Sequence, residues 1–387
     1  MVQVNPHFKK LKREFVFPVI DRKLAELKTQ FPGTQIVNLG IGDVVLPLAP
    51  TISKALSDAA LEMTTKVFGY GPSEGYLFLR KAICDVAYPK GLIAPDEVFI
   101  SEGTGCDATN IQELFGSRCK IGIPDPTYPA YLDSAILGGR SSKIVFLPCN
   151  EETRFLPQPP KEHLDVVYLC TPSNPTGVAM NRAELKAWVD YAKQEKTILI
   201  IDNAYEAFVT SPEVPRSIYE IEGAKEVAIE LRSFSKSAGF TGVRCAYAVV
   251  PKSILNGKLN TLWMKRQTIK FNGVSYLIQR GAEASLSPQG LIETKAQVQH
   301  YLNQGKILRE GLQNLGFSVV GGADAPYIWW KVPGAQTSWD YFDTILKKCH
   351  LISIPGRGFG SAGEGYMRLS TFTSQADLAL ERLCALK

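Results

Sequence analysis

Seven short apolar runs constrain the fold of this 387-residue chain more than any other feature. Most of them end in a turn rich in Gly, Pro, Asn or Asp and lead into a helical stretch. The runs cover residues 98–101, 120–123, 144–147, 166–170, 198–201, 227–231 and 246–250. Strands that are apolar throughout, without alternation, are typical of a sheet covered by helices on both faces. We therefore predict a three-layer α/β/α large domain built around a mostly parallel, seven-stranded sheet.

The chain is longer than the size at which one hydrophobic core keeps growing, so a second domain is expected. After about residue 275 the pattern changes to a long helical stretch over 291–316, followed by short strands at 327–332 and 351–354 and a glycine-rich loop. We predict an amino-terminal arm over 1–45 that contributes to a small domain, a large domain over 46–280, and a small α+β domain over 281–387.

Composition and charge exclude several classes of function. The formal net charge of +5 is scattered, so we expect no nucleic-acid partner. The sequence has no apolar run of about 18 residues and no secretion signal at its start, so we expect neither a membrane span nor export. Eight cysteines without a CxxC pair indicate reduced thiols in the cytoplasm. Four histidines without ligand-like spacing predict no metal site.

Ligands of open parallel sheets bind just beyond the carboxyl ends of the strands, so the residues after each run are the candidate site. Gly103, Thr104 and Gly105 follow the first run and offer an anion site at the start of a helix. Tyr128, held between two prolines, could stack on a planar ligand, and Asn174 lies in an Asn-Pro turn. A tight turn without a ligand and ordinary packing are the alternative interpretations.

The next two strand ends carry charged groups. Asp202 ends a run of Ile and Leu, where a buried carboxylate needs a cationic or proton-donating partner, although a helix N-cap is an alternative. After the following run come Ser233, Ser235, Lys236 and Arg244, with donors for a phosphate and an amine that can condense with an aldehyde. A lone lysine would be a solvated residue, but the five strand ends together match the parts that a phosphorylated pyridine aldehyde requires.

At this point the chain resembles a known family. NPTG at 174–177, Asp202 with Tyr205, and SFSKSAGFTGVR at 233–244 are similar to motifs of the fold-type-I aminotransferases of the aspartate aminotransferase superfamily. Within that superfamily, further segments resemble the LL-diaminopimelate aminotransferases. These segments are NLGIGD (38–43), GYGPSEGY (69–76), DPTYPAY (125–131), KFNGVSY (270–276) and PGRGFGSAGEGYMRLS (355–370).

The resemblance implies that pyridoxal 5′-phosphate is the cofactor and that Lys236, Asp202 and Tyr205 are catalytic. Lys236 would hold the cofactor as a Schiff base and move the substrate proton, and Asp202 would keep the ring nitrogen protonated. The implied cofactor-binding residues are Gly103, Thr104, Gly105, Tyr128, Asn174, Asp202, Tyr205, Ser233, Ser235, Lys236, Arg244, Tyr70 and Asn272. The implied substrate-binding residues are Arg368, Gly42, Asn174, Tyr128, Glu74 and Phe15.

The resemblance also implies a homodimer with shared active sites, in which Tyr70, Glu74 and Asn272 of one subunit reach the cavity of the other. The implied reaction is transamination between LL-diaminopimelate or tetrahydrodipicolinate and the glutamate/2-oxoglutarate pair. Two positions depart from the pattern of those enzymes. Gly105 stands where a lysine is expected and Phe15 where a tyrosine is common, and the loss of polar contacts at such positions alters substrate selectivity.

Three alternative functions remain beside this one. On the same fold, the chain could be an aminotransferase of broad aromatic or acidic specificity, or a β-lyase that uses the same cofactor. A regulator without catalysis is a remote alternative. A nicotinamide-binding Rossmann motif at Gly69, Gly71 and Gly75 is rejected, because these glycines follow no clear strand and have the wrong spacing.

Overall fold

The computed structural model describes residues 2–11 and 16–386, and within them the chain forms thirteen strands and twelve α-helices. The strands are β1 (Val37–Asn38), β2 (Val98–Ser101), β3 (Ile121–Asp125), β4 (Ile144–Pro148), β5 (Val166–Cys170), β6 (Ile198–Asp202), β7 (Ala228–Ser233), β8 (Ala246–Val249), β9 (Val319–Gly321), β10 (Tyr327–Lys331), β11 (Leu351–Ile352), β12 (Ile354–Pro355) and β13 (Tyr366–Ser370). The helices are α1 (Val16–Gln30), α2 (Pro50–Glu62), α3 (Leu77–Ala87), α4 (Thr104–Asn110), α5 (Pro129–Leu137), α6 (Arg182–Glu195), α7 (Phe234–Ser237), α8 (Lys258–Lys270), α9 (Tyr276–Ser285), α10 (Pro288–Asn314), α11 (Ser338–Cys349) and α12 (Ala376–Leu383).

The large sheet has seven strands in the order β2-β8-β7-β6-β5-β3-β4. All pairings are parallel except the two made by β8. Each of the seven predicted runs forms one of these strands, so the predicted fold class is confirmed. Because β8 is the only reversed strand, the carboxyl ends of the other six lie at one edge of the sheet. The turns that follow them are therefore neighbours in space.

Both faces of the large sheet are buried, which explains why its strands do not alternate. Along β6, Leu199 and Ile201 pack with Trp188 of α6 in one hydrophobic cluster. Ile198 and Ile200 belong to a second cluster on the opposite face. A strand with a core on each side requires apolar residues at every position.

A smaller antiparallel sheet has the order β12-β13-β10-β9, and β1 pairs in parallel with β11. The strand predicted at 351–354 forms two separate strands in the structure. On one side of Ser353, β11 pairs with β1, and on the other side β12 pairs with β13. The core of this region includes Ile20, Val37 and Leu39 together with residues of α11, α12 and the small sheet. The amino-terminal segment thus packs on the carboxy-terminal region, while the domain limits at 45 and 280 stay predictions.

Among residues 2–11 and 16–386, no helix is long and apolar enough to cross a membrane. All eight cysteines are free thiols. The described part of the chain also contains no group of three or more His, Cys, Asp or Glu side chains that could hold a metal ion.

Candidate active site

A cavity of about 340 Å³ opens at the carboxyl edge of the large sheet, under the small sheet. Twelve predicted site residues line it: Gly42, Thr104, Gly105, Tyr128, Asn174, Asp202, Tyr205, Ser233, Ser235, Lys236, Arg244 and Arg368. A larger cavity of about 520 Å³ lies behind α7, but the hydroxyls of Ser237, Ser285 and Thr294 in its wall donate to backbone carbonyls. The reactive groups converge in the smaller cavity.

One end of the cavity is suited to a phosphate. The guanidinium of Arg244 lies so close to the turn before α4 that a Cβ at Gly103 would be 2.4 Å from its Nη2 atom. Its Nη1 donates weakly to Ser235 Oγ at 3.4 Å and to the Thr241 carbonyl at 3.2 Å. Thr104, the first residue of α4, adds a hydroxyl and a backbone N–H. This set of donors fits an anion of phosphate size.

Asp202 is the last residue of β6 and is almost fully buried. Its Oδ2 accepts a hydrogen bond from the Tyr131 hydroxyl, and its Oδ1 accepts one from the Ala204 N–H at 3.2 Å. The next helical segment is a short 3-10 helix over Glu206–Phe208 whose N-cap is Tyr205, so Asp202 is not a helix N-cap. Burial raises the pKa of its carboxyl, and no cation among the described residues forms an ion pair with it. Such a carboxylate fits a protonated ring nitrogen.

Arg368 lies on β13 and is buried above the cavity. Its Nη1 donates to Asn174 Oδ1 at 2.8 Å and its Nη2 to the Gly40 carbonyl at 2.6 Å. Its guanidinium packs between the rings of Tyr327 and Phe359, with Cζ 4.6 and 4.7 Å from the two ring centroids. Its Nε is buried without a partner, and burial lowers its pKa. A buried guanidinium without a carboxylate partner fits the carboxylate of a bound ligand.

Tyr205 is held by groups from both sheets. Its hydroxyl accepts a hydrogen bond from Asn174 Nδ2 at 3.5 Å and lies 3.1 Å from the hydroxyl of Tyr327. Burial raises the pKa of Tyr205 well above its usual value, so the hydroxyl stays protonated and can donate. A Cβ at Gly42 would lie 2.3 Å from the Tyr327 hydroxyl, so a larger residue there would displace this pair.

Lys236 extends from α7 into the cavity, where its Nζ donates to the Gly42 carbonyl and lies 5.2 Å from the ring of Phe372. Burial lowers the pKa of its amine to about 8, with Asp43 opposing the shift and Arg244 adding to it. Near neutral pH a useful fraction of the amine is therefore uncharged and nucleophilic.

Tyr128 forms one wall of the cavity and packs edge-on against Tyr131, with ring centroids 5.6 Å apart. At Gly105 a Cβ would meet only the Tyr128 hydroxyl, at 3.7 Å, so this position leaves open space beside the ring.

Four predicted residues do not line this cavity. Tyr70 is 93% exposed and Asn272 is also exposed, while Glu74 pairs with Arg80 at 3.4 Å. Gly103 lies just behind the cavity wall, against Arg244. Phe15 lies outside the described residues.

Five further residues line the cavity that the sequence did not indicate: Ile41, Tyr131, Cys170, Ala204 and Tyr327. Tyr131 stands within the DPTYPAY segment, yet its partner Asp202 is 71 residues away. Tyr327 begins β10, 122 residues from Tyr205. No local pattern connects residues at such separations.

The chain matches the family model for class I and II aminotransferases over residues 34–385. A solved structure of L,L-diaminopimelate aminotransferase from Chlamydomonas reinhardtii is 40% identical, with 99% of this chain and 98% of that chain covered and a TM-score of 0.93. A substrate-bound BacF structure from Bacillus subtilis is 29% identical, covering 100% and 98%, with a TM-score of 0.85. An aspartate aminotransferase double mutant from Thermus thermophilus, 22% identical over 100% of both chains with a TM-score of 0.88, shows the common fold alone.

Proposed function

Because the chain belongs to the class I and II aminotransferases, we propose that it binds pyridoxal 5′-phosphate in the 340 Å³ cavity and exchanges an amino group between LL-diaminopimelate and 2-oxoglutarate. In the biosynthetic direction, glutamate would donate the amino group to tetrahydrodipicolinate. The observation that carries the cofactor proposal is that Lys236, Asp202 and Arg244 line the same cavity.

Each part of the cofactor has a matching group. Thr104, Ser235 and Arg244 would bind the phosphate, since their donors surround one end of the cavity. Asp202 would hold the ring nitrogen, and Tyr128 would contact the ring face. When bound, pyridoxal phosphate supplies an aldehyde that condenses with amines and a ring that accepts electron density.

Other residues of the chain would bind the carboxylate of the substrate and transfer its proton. Arg368 would bind the α-carboxylate of the amino acid through its two nitrogens, because its packing between two rings fixes its plane. Lys236 Nζ would take the proton from the substrate Cα and deliver it to the cofactor carbon that receives the amino group. Its lowered pKa leaves the amine free to accept a proton near pH 8. Tyr205 would donate its hydroxyl hydrogen bond to the ring oxygen.

The choice of substrate is supported by the 40% identity to the Chlamydomonas enzyme over nearly the whole chain. Gly105 and Phe15 are the positions at which selectivity is expected to differ. A second candidate function is aminotransfer with broad aromatic or acidic specificity. It is favoured by the open space beside Tyr128 at Gly105, which leaves room for a larger side chain of the substrate.

The proposal also includes a homodimer with shared active sites. Tyr70 and Val67 are almost fully exposed, and Ile41 at the cavity wall is half exposed. Gly273, next to Asn272, lies against the Pro72 carbonyl, so the segments that carry Tyr70, Glu74 and Asn272 adjoin one another. Exposed apolar residues at the cavity wall and in the segment around Tyr70 favour burial against a second copy.

The test measures the covalent attachment of the cofactor and the preference for amino donors in two separate experiments. Protein incubated with pyridoxal phosphate and reduced with borohydride should carry the adduct on Lys236, detected by peptide mass, and the Lys236→Ala variant should carry none there. Turnover is then measured with 2-oxoglutarate and LL-diaminopimelate, glutamate, aspartate, alanine or phenylalanine as amino donors. A kcat/KM for LL-diaminopimelate at least about tenfold above the other donors supports the assignment.

Other outcomes of this assay distinguish the alternatives. Comparable rates with aromatic or acidic donors would instead establish broad specificity. With an added donor that has a leaving group on Cβ, such as an S-substituted cysteine, release of the thiol, ammonia and pyruvate without formation of glutamate would establish a β-lyase. Absence of any adduct on Lys236 would refute the cofactor proposal itself.

A further inference from the structure

Three tyrosines, one partly buried at the cavity wall and two fully buried behind it, form a column beside the cavity. The ring of Tyr128 packs edge-on against Tyr131, and Tyr131 stacks on Tyr168 with ring centroids 4.8 Å apart and an interplanar angle of 16°. Tyr131 and Tyr168 are both completely shielded from solvent. Their rings are therefore fixed by packing, and each hydroxyl has a defined position.

The two hydroxyls of the inner pair have different partners. Tyr168 donates to the Ala108 carbonyl of α4 at 2.7 Å, which is a structural contact beneath the anion loop. Tyr131 donates to Asp202 Oδ2, and the Ala204 N–H donates to the other oxygen. The Tyr131 hydroxyl is the one side-chain donor that the described residues offer to this carboxylate.

Given the proposed function, we infer that Tyr131 is a positioning residue that keeps Asp202 ionised and oriented for the ring nitrogen of the cofactor. A hydrogen bond to the charged form of a carboxylate stabilises that form. Burial alone would favour the neutral acid, which cannot pair with a protonated nitrogen. The Tyr131 hydroxyl opposes this effect of burial while leaving Asp202 free of a competing cation.

Other titratable groups face Asp202 from the neighbouring elements, and the test must leave them in place. The acidic or neutral ones are Asp107, Tyr128, Cys170, Tyr205 and Tyr327. The cations in the same cavity are Lys236, Arg244 and Arg368. Loss of a single tyrosine hydroxyl alters none of these groups, so a change in the pH profile can be assigned to that hydroxyl.

The experiment compares Tyr131→Phe with Tyr168→Phe, a matched control in which an equally buried tyrosine of the same column loses its hydroxyl. Binding of pyridoxal 5′-phosphate to the cofactor-free protein is measured by fluorescence quenching from about pH 5.5 to 9. We expect Tyr131→Phe to weaken binding roughly tenfold at neutral pH, with a larger loss at acidic pH, because protonation of Asp202 moves to higher pH. Tyr168→Phe should follow the wild-type pH profile within about twofold.

A double-mutant cycle asks whether Tyr131 acts through Asp202. In an Asp202→Asn background, Tyr131→Phe should change the dissociation constant by less than about twofold. Equal pH profiles for Tyr131→Phe and wild type, or an undiminished effect in the Asp202→Asn background, would overturn the inference. Circular dichroism of each variant identifies a folding defect, and Tyr131→Leu, which also lacks the hydroxyl and adds no donor, must reproduce the effect if Tyr131→Phe is unstable.

Failure of this inference is distinguishable from failure of the proposed function. If wild-type protein binds the cofactor on Lys236 but the Tyr131 variants bind it equally well, only the role of Tyr131 is lost. If the wild-type protein binds no cofactor, the proposed function fails before any variant is compared.

Discussion

Burial affects the two cations at the centre of the cavity in different ways. Lys236 can lose its charge, and burial brings the pKa of its amine down to about 8. Arg368 keeps its charge despite burial, since a guanidinium does not deprotonate in proteins. One residue is therefore suited to move a proton and the other to hold a fixed carboxylate.

The lowered pKa of Lys236 predicts a particular dependence of stability on pH in the cofactor-free protein. Between about pH 8 and 10.4 the unfolded chain holds a proton on this amine that the folded chain has released, so folding becomes more favourable as pH rises. Below pH 8 both states are protonated, and the folded state bears the full cost of the buried charge. Lys236→Met should therefore be more stable than wild type at pH 7, and its advantage should shrink above pH 8.

Urea unfolding at several pH values measures this difference. Lys161→Met, at an exposed position, is the control and should track wild type throughout. An advantage of Lys236→Met that stays constant from neutral to alkaline pH would contradict the prediction.

Arg368 is expected to act on every amino acid substrate alike. Arg368→Lys loses the planar pair of donors, so KM should rise roughly 10- to 100-fold for each donor, as expected for lost hydrogen bonds to a charged group. Steady-state kinetics with donors that differ in side chain measure this effect. Arg357→Lys, an exposed arginine outside the cavity wall, should leave KM unchanged. A rise confined to one donor would place Arg368 at the side-chain end of the substrate.

At the scale of elements, the turn between β5 of the large sheet and α6 packs against the small sheet. Gly177 in this turn has a φ of +68°, and a Cβ there would lie 1.9 Å from the Tyr327 carbonyl of β10. The same turn carries Asn174, which accepts the hydrogen bond from Arg368. Close backbone contact at Gly177 therefore sets the spacing across the cavity.

Gly177→Ala should lower the free energy of unfolding by about 2 kcal/mol or more, because a side chain adds left-handed strain to a clash with backbone. Urea unfolding measures the loss. Gly116→Ala, at a glycine with open space and an ordinary φ, is the matched control. A loss at Gly177 no larger than that at Gly116 would show that the turn relaxes without consequence.

At the scale of the whole molecule, the proposed dimer predicts that exposed apolar residues in the segment around Tyr70 are buried by a second copy. Val67 is 100% exposed, three residues from Tyr70. Val67→Glu would bury a charge in that interface, so it should shift the protein toward monomers and reduce turnover. Light scattering after size-exclusion chromatography measures the mass. Leu255→Glu, at another exposed apolar position, should remain dimeric. A dimer that persists in Val67→Glu would refute this placement of the interface.

The sequence by itself determined the large sheet and most of the cavity wall. A strand that is buried on both faces is apolar at every position, so it can be recognised from its own residues. All seven strands were therefore predicted from their apolar runs and the turns that follow. The motifs after the strands, such as the turn at Asn174 and the segment at Lys236, then came together because parallel strands share a carboxyl edge.

Only the tertiary structure decided which side chains meet across that cavity. Tyr131 reaches Asp202 because β3 lies beside β5, and β5 beside β6, in the sheet order, and Tyr327 reaches Tyr205 because the small sheet covers the large one. The division of residues 351–355 between two sheets has the same origin. Strand order and the packing of one sheet on another depend on contacts between distant residues, which local periodicity does not record.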